Sequence, residues 1–267
     1  MEQFAQAKTL FGDDFDMSGY LDSFTFEAAK NGLLQTLNSR DIPMVFLLGD
    51  PGVGKSYLLQ FVIEKATRIK IAKFFPNPHF NERELLETLL RTTGEEVQHN
   101  TQSIHDLIES LKKHYQNLEY TVFIDEAQLM SEKQLEFIRV LGDMKLFQFV
   151  LSMHKNEGHY ILAKPHFKSR NAKTITLEHI TKEELTHYLQ NRLLAHNLSE
   201  VATQFNEKEA QFIHKHSKGN FRSSKKMMRA VCEIIELAKR GNLEKYTKVN
   251  EATLTMAAID VGAIHVK

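Results

Sequence analysis

The sequence predicts a three-layer α/β/α domain on a central parallel sheet, followed by a small all-helical domain. Three observations predict it. Strand-like apolar segments alternate with helix-period segments up to about residue 178. The first strand, apolar throughout, runs through a glycine-rich loop straight into a helix. From Thr181 onward only helical spacing remains. The expected boundaries are 1–178 for the α/β domain and 179–267 for the helical domain.

In chain order, residues 20–39 place Phe26, Ala29, Leu33 and Leu37 at helical spacing, which predicts a helix ending at the break "RDIP". "MVFLLG" (44–49) is a buried strand, and after the glycine loop Leu58, Leu59, Val62, Ile63 and Ala66 recur with helical period. "RIKIAKFF" (68–75) is the second strand. The proline-punctuated "FPNPHF" then leads to a helix that Asn81 and Glu84 can cap. A helix over about 101–115 precedes "YTVFIDEAQ", a third strand ending in acids. Ser131 with Gln134 opens the next helix, "LFQFVLSMH" (146–154) is a fourth strand and "KTITLEHI" (173–180) a fifth. Thr181 and Glu184 form a capping box, and helical segments follow near 182–195, 206–217, 221–240 and 250–262.

Lys+Arg and Asp+Glu both number 34, so no global charge draws the 267-residue chain to nucleic acid or an anionic membrane, and any basic contact is local. The single cysteine, Cys232, excludes an intrachain disulfide framework and fits a reducing compartment. The N-terminal "MEQFAQAKTLFGDDFDM" lacks the pattern of a signal peptide, and no window approaches the roughly 18 apolar residues of a membrane helix. The expectation is a cytoplasmic protein that does not itself insert into a membrane. The nine methionines are scattered and read as core filling.

Gly49-Asp50-Pro51-Gly52-Val53-Gly54-Lys55-Ser56 fits G-x-x-x-x-G-K-[ST] in full. Glycines let successive backbone N–H groups converge on phosphate oxygens, and the helix start adds its dipole. Lys55 offsets β/γ charge and Ser56 is a ligand for Mg²⁺. A mere glycine-rich turn would not need lysine and serine together at the helix start. The nucleotide-contacting run is Gly49 to Tyr57, with ATP and Mg²⁺ as the implied ligands. About 70 residues on, "TVFIDE" ends an apolar strand in two carboxylates, Asp125 for the metal and Glu126 as the base that polarises water. Two acids after a strand are commonly a solvated loop; behind a full phosphate loop, the pair favours hydrolysis over binding alone.

His154, just after "FQFVLSM", is a candidate sensor of the γ-phosphate or the attacking water, with Asn156 as the fallback; an incidental strand-end histidine is the alternative. In "SKGNFRSSKKMMRAV", Gly219 and Asn220 open a helix whose first turn carries Arg222, a candidate reporter of nucleotide state. Lys225, Lys226 and Arg229 read as a solvated basic face, although with His214, Lys215, His216 and Lys218 they also form a local patch for duplex DNA. Arg170, flanked by Lys168 and Lys173, is a candidate for completing a neighbouring subunit's site; a plain surface arginine is the alternative.

These segments together resemble P-loop NTPases of the AAA+ group, and within it the ExeA/GspA and MshM type found with type II secretion and type IV pilus systems. The TniB transposition ATPases are relatives. The resemblance runs over nearly the whole chain, through "NPHFNERELLETLL", "VFIDEAQLMSEKQLEFIRVL", "KLFQFVLSMHK", "ITLEHITKEELTHYLQNRL" and "SKGNFRSSKKMMRAV". It implies a nucleotide site at Gly49, Gly52, Gly54, Lys55 and Ser56, metal and base positions at Asp125 and Glu126, and a second-domain sensor at Arg222. His154 stands where the family usually has glutamine or asparagine, and Arg170 falls near a family arginine. ExeA/GspA proteins continue into a membrane helix and a periplasmic peptidoglycan-binding part. For this chain the resemblance implies an ATPase acting through a secretion or pilus assembly protein at the inner membrane, as a ring or dimer. The alternative it implies is a TniB-like, ATP-dependent DNA-binding regulator.

Overall fold

The computed structural model describes residues 2–12, 23–94, 103–164, 167 and 171–264. Their contacts divide the chain into two compact units, one of residues 28–51 and 55–177, the other of residues 1–27, 52–54 and 178–267.

The first unit holds a five-stranded parallel sheet of order β2-β3-β4-β1-β5, with β1 Met44–Leu48, β2 Lys70–Phe75, β3 Tyr120–Ile124, β4 Phe147–Met153 and β5 Ala172–Thr176. The first four strands lie within the segments expected from hydrophobicity, and β5 overlaps the expected 173–180 but runs from Ala172 to Thr176. β1 and β4 are buried along their whole length, which is why they read as unbroken apolar runs. The edge strands β2 and β5 carry the exposed Lys73 and Lys173, charges that discourage pairing with another chain. A bulge between Ile71 and Lys73 further irregularises β2.

Helix α2 (Phe24–Ser39) precedes β1, and α3 (Lys55–Lys65), α4 (Glu82–Arg91), α5 (Ile104–His114), α6 (Glu132–Asp143) and α7 (Lys155–Leu162) link the strands. The capping pairs expected at Asn81/Glu84 and Ser131/Gln134 form as full boxes, and Ser103/Asp106 adds one that the sequence reading did not single out. Leu85, Leu86, Leu89 and Leu90 of α4, Leu107 and Leu111 of α5, and Ile138 and Leu141 of α6 close one core with Phe46, Val122, Ile124 and Phe149. The short helix α7 was not expected. Its Gly158 lies so close to β1 that a Cβ there would stand 2.3 Å from a methyl of Leu48.

The second unit is helical: α1 (Glu2–Leu10), α8 (Lys182–Ala195), α9 (Ser199–Ala202), α10 (Glu207–Ser217), α11 (Phe221–Arg240) and α12 (Glu251–Asp260). α1, which hydrophobic spacing did not reveal, packs on α11; Phe4, Ala7 and Phe11 are buried, Lys8 pairs with Glu236 at 3.4 Å, and Lys239 caps the Phe4 ring. The first residues thus group with the carboxy-terminal helices rather than with the sheet. Thr181 and Glu184 form their capping box, and the Glu184 carboxylate also accepts from the backbone N–H of Thr25 at 2.8 Å and its hydroxyl at 3.1 Å. Among the described residues, no helix is long and apolar enough to cross a membrane.

Candidate nucleotide site

Because every strand is parallel, the carboxyl ends of β1, β3 and β4 share one edge of the sheet. β4 lies between β1 and β3, and β2 and β5 flank them. Chain connections diverge to either side of such an edge, which leaves room for a ligand there.

The loop leaving β1 turns through Gly52 (φ 84°) and Gly54 (φ 109°), left-handed conformations that glycine adopts without the Cβ penalty, and α3 starts at Lys55. Lys55 is only 8% exposed. Its ammonium donates to the carbonyls of Gly49 at 2.8 Å and Asp50 at 3.1 Å, so the cation is held inside the curl of its own loop. Ser56 is exposed one residue further along the helix and Tyr57 is half-buried. Val53 is buried and Pro51 exposed, which fixes one side of the loop and leaves the other to solvent.

Gly52 has a second constraint. Its carbonyl accepts the backbone N–H of Arg222 at 3.0 Å, and a Cβ on it would meet the Asn220 side chain at 2.7 Å and the Arg222 Cβ at 3.1 Å. Asn220 is there because it caps α11, accepting from Ser223 N–H at 3.1 Å. Gly219 (φ 70°) turns the chain into that cap and packs against the Ile180 carbonyl. Arg222 itself is exposed in the first turn of α11.

At the end of β3, Asp125 is 4% exposed, its backbone N–H extends the sheet ladder to Phe75, and its Oδ1 accepts the N–H of Glu126 at 2.9 Å. Glu126 is left-handed (φ 52°, ψ 34°), an uncommon conformation for a residue with a side chain. Its Oε2 accepts a hydrogen bond from Gln128 Nε2 in the 3-10 turn Ala127–Leu129, and His154 Nε2 stands 3.9 Å from the same oxygen. Gln128 Nε2 lies 3.5 Å from His154 Nε2, and His154 Nδ1 lies 4.0 Å from Glu157. Thus β4, lying between β1 and β3, brings His154 to Glu126. Asn156 is in the first turn of α7. Gln128 and Glu157 were missed in the sequence; Gln128 lies in the "DEAQ" run, but nothing in that run tells of its approach to His154.

The remaining candidates divide. Arg170 and Lys168 lie outside the described residues. In the basic segment Lys215, Lys218, Lys226 and Arg229 are exposed, whereas His214 is tied to the Ile180 carbonyl at 3.0 Å and the His216 ring lies on Phe212, where burial lowers its pKa.

Residues 40–160 match the family model of an AAA domain. No curated protein matches the chain in sequence. Among solved structures, the chain is similar to the ORC2 protein of Aeropyrum pernix in its ADPNP and ADP complexes, with TM-score 0.60 and 16% identity over 97% of this chain and 72% of that one. It is also similar to Cdc6p from Pyrobaculum aerophilum, with TM-score 0.59 and 15% identity over 88% of this chain and 66% of that one. A variant of RuvB from Thermotoga maritima gives TM-score 0.55 and 17% identity over 88% of this chain and 68% of that one. The fold is therefore the P-loop fold of AAA+ proteins.

Proposed function

We propose that the protein binds ATP with Mg²⁺ on the Gly49–Ser56 loop and hydrolyses it. The observation that supports this reading most is the arrangement of one sheet edge, with a complete phosphate loop after β1, two acids after β3 and a histidine after β4, between them. Backbone N–H groups of the loop and Lys55 hold the β- and γ-phosphates, Lys55 exchanging carbonyl partners for phosphate oxygens. The donor set suits Mg²⁺, which binds nucleotide through one or two protein oxygens while keeping phosphate and water ligands; here Ser56 and the buried Asp125 carboxylate would hold it. Bound there, the ion would offset charge on the β- and γ-phosphate oxygens.

Glu126 takes a proton from water as the water oxygen attacks the γ-phosphorus. The bond from that phosphorus to the β,γ-bridging oxygen breaks, leaving ADP and inorganic phosphate. Arg222, whose backbone meets the loop at Gly52, reads the γ-phosphate. Replacing Glu126 by Gln is expected to keep ATP affinity and to cut turnover roughly 100-fold or more, as loss of a general base does. Undiminished phosphate release by Glu126→Gln would sink the assignment.

The work done with this turnover is, in our reading, the powering or gating of a secretion, pilus or DNA-uptake assembly at the inner membrane. The protein acts there through a protein partner and as a ring or dimer. The support is the resemblance of "VFIDEAQLMSEKQLEFIRVL" and "KLFQFVLSMHK" to ExeA/GspA proteins. Capture of partners by the ATP-held Glu126→Gln protein tests it, and recovery of no assembly component would count against it. A second reading, an ATP-dependent DNA regulator of the TniB kind, is favoured by the exposed cations of α10 and α11. It requires salt-sensitive retention of duplex DNA, and no retention at about 50 mM salt removes it.

A further inference from the structure

We infer that Gln128 is a positioning residue for Glu126, joining that carboxylate to His154 through a single side-chain amide. The inference rests on the reading of Glu126 as the base. Gln128 reaches the carboxylate from two residues downstream because the chain turns at once into the 3-10 segment, a fold-back that the left-handed Glu126 makes geometrically available.

The chemistry of the three groups fixes their orientation. A carboxylate only accepts, so the Gln128 amide must present nitrogen, and its Nε2 is the atom on Glu126 Oε2. The consequence is visible on the other arm: Gln128 Oε1 is buried and accepts no hydrogen bond among the described residues. An amide that served only local packing would turn its oxygen to a donor; this one leaves its oxygen unsatisfied and keeps its N–H donating to the ionised carboxylate. The second Nε2 proton faces His154 Nε2 at 3.5 Å. A neutral imidazole accepts there only if its own proton is on Nδ1, the nitrogen that faces Glu157 at 4.0 Å. Glu126, Gln128 and His154 are then joined through the one amide, with the Glu157 carboxylate 4.0 Å from the far side of the imidazole. Gln128 restricts the rotamer of the Glu126 carboxylate while leaving Oε1 of that carboxylate for water.

The test uses the full chain carrying Gln128→Met, which keeps side-chain length and removes both amide protons. Steady-state phosphate release and equilibrium ATP affinity are measured beside wild type and Glu126→Gln. Turnover is expected to fall about 10- to 100-fold, the effect of loosening a reacting group by about an ångström, with affinity within about twofold. Unchanged or increased turnover in Gln128→Met, or an equal loss of affinity, overturns the inference. If Glu126→Gln retains wild-type turnover, it is instead the base assignment that has failed. Independently of turnover, long-range ¹H–¹⁵N correlation of the His154 ring at neutral pH is expected to show the Nδ1–H tautomer; an Nε2–H tautomer overturns the chain of contacts.

Discussion

The loop after β1 and the acidic corner after β3 stand at one edge of the same sheet, and they are built from different materials. The loop works through backbone: two left-handed glycines, a run of amides and the start of a helix, with Lys55 folded onto the carbonyls of Gly49 and Asp50. The corner works through side chains brought from β3, a 3-10 turn and the end of β4, with Glu126 in a left-handed conformation that costs about 1–3 kcal/mol for a residue with a side chain. A backbone device tolerates changes at positions whose side chains point away, but not a Cβ at its turns. A side-chain device tolerates neither shortening nor loss of a donor.

The difference is sharpest for Glu126→Asp. The charge is kept and the carboxylate recedes by one methylene, out of the reach of Gln128 Nε2. Turnover is expected to fall about 100-fold with ATP affinity retained. Phosphate release near the wild-type rate would mean that the corner is as forgiving as a loop. The corresponding change in the loop is Lys55→Met, which removes a charge-assisted contact of about 1.5–3 kcal/mol and so weakens ATP binding about 10- to 100-fold, read by equilibrium titration. Turnover lost without any loss of affinity would move Lys55 from the binding device to the reacting one.

Legibility followed the same division. The phosphate loop could be read because its function resides in residue type at fixed spacing within eight positions, and β1 because burial on both faces leaves an unbroken apolar run. Asp125 and Glu126 could be read because a strand end and a pair of acids are local signals. Gln128 could not, since its meaning depends on His154, 26 residues away, and only the placing of β4 beside β3 brings them together. α1 was hidden for another reason: its Phe4 and Ala7, with Phe11 just past its end, are too few and too interspersed with polar residues to mark a face until α11 supplies the partner. The contact between Gly52 and Asn220 joins positions that no sequence spacing connects.

That contact gives a paired prediction. Gly52 (φ 84°) and Gly94 (φ 85°) share a left-handed φ, but a Cβ at Gly52 meets Asn220 and Arg222, whereas one at Gly94 meets nothing within 4 Å among the described residues. Gly94→Ala is expected to cost only the left-handed penalty, about 1–2 kcal/mol in chemical unfolding. Gly52→Ala adds overpacking of about 1–3 kcal/mol and weakens nucleotide binding besides. Equal destabilisation of the two variants would show that the cap of α11 yields to the loop, and that crowding there carries no information.

The smallest expected effect lies behind the corner, at Ser131. Its hydroxyl accepts the Gln134 N–H at 3.2 Å and its N–H donates to the Gln134 side chain at 2.8 Å, so Ser131 alone separates Met130, the C-cap of the 3-10 turn, from the start of α6 at Glu132. Gln134 then reaches on to the carbonyls of Phe80 at 2.7 Å and Pro78 at 3.1 Å, which ties this helix start to the loop before α4. Ser131→Ala removes one member of the box and leaves Gln134 free to keep its other bonds, so unfolding should shift by about 1 kcal/mol. ATP affinity should not change, because the phosphate-holding groups are supplied by the loop after β1 and not by α6. Turnover is the informative quantity. If Gln128 holds Glu126 through the rigidity of its own three-residue turn, turnover in Ser131→Ala stays within about twofold of wild type, a change below the roughly 1 kcal/mol lost in stability. If turnover instead drops as far as it does in Gln128→Met, the cap of α6 is part of what fixes the carboxylate, and the side-chain device extends one helix further from the reacting atoms than its hydrogen bonds alone would place it.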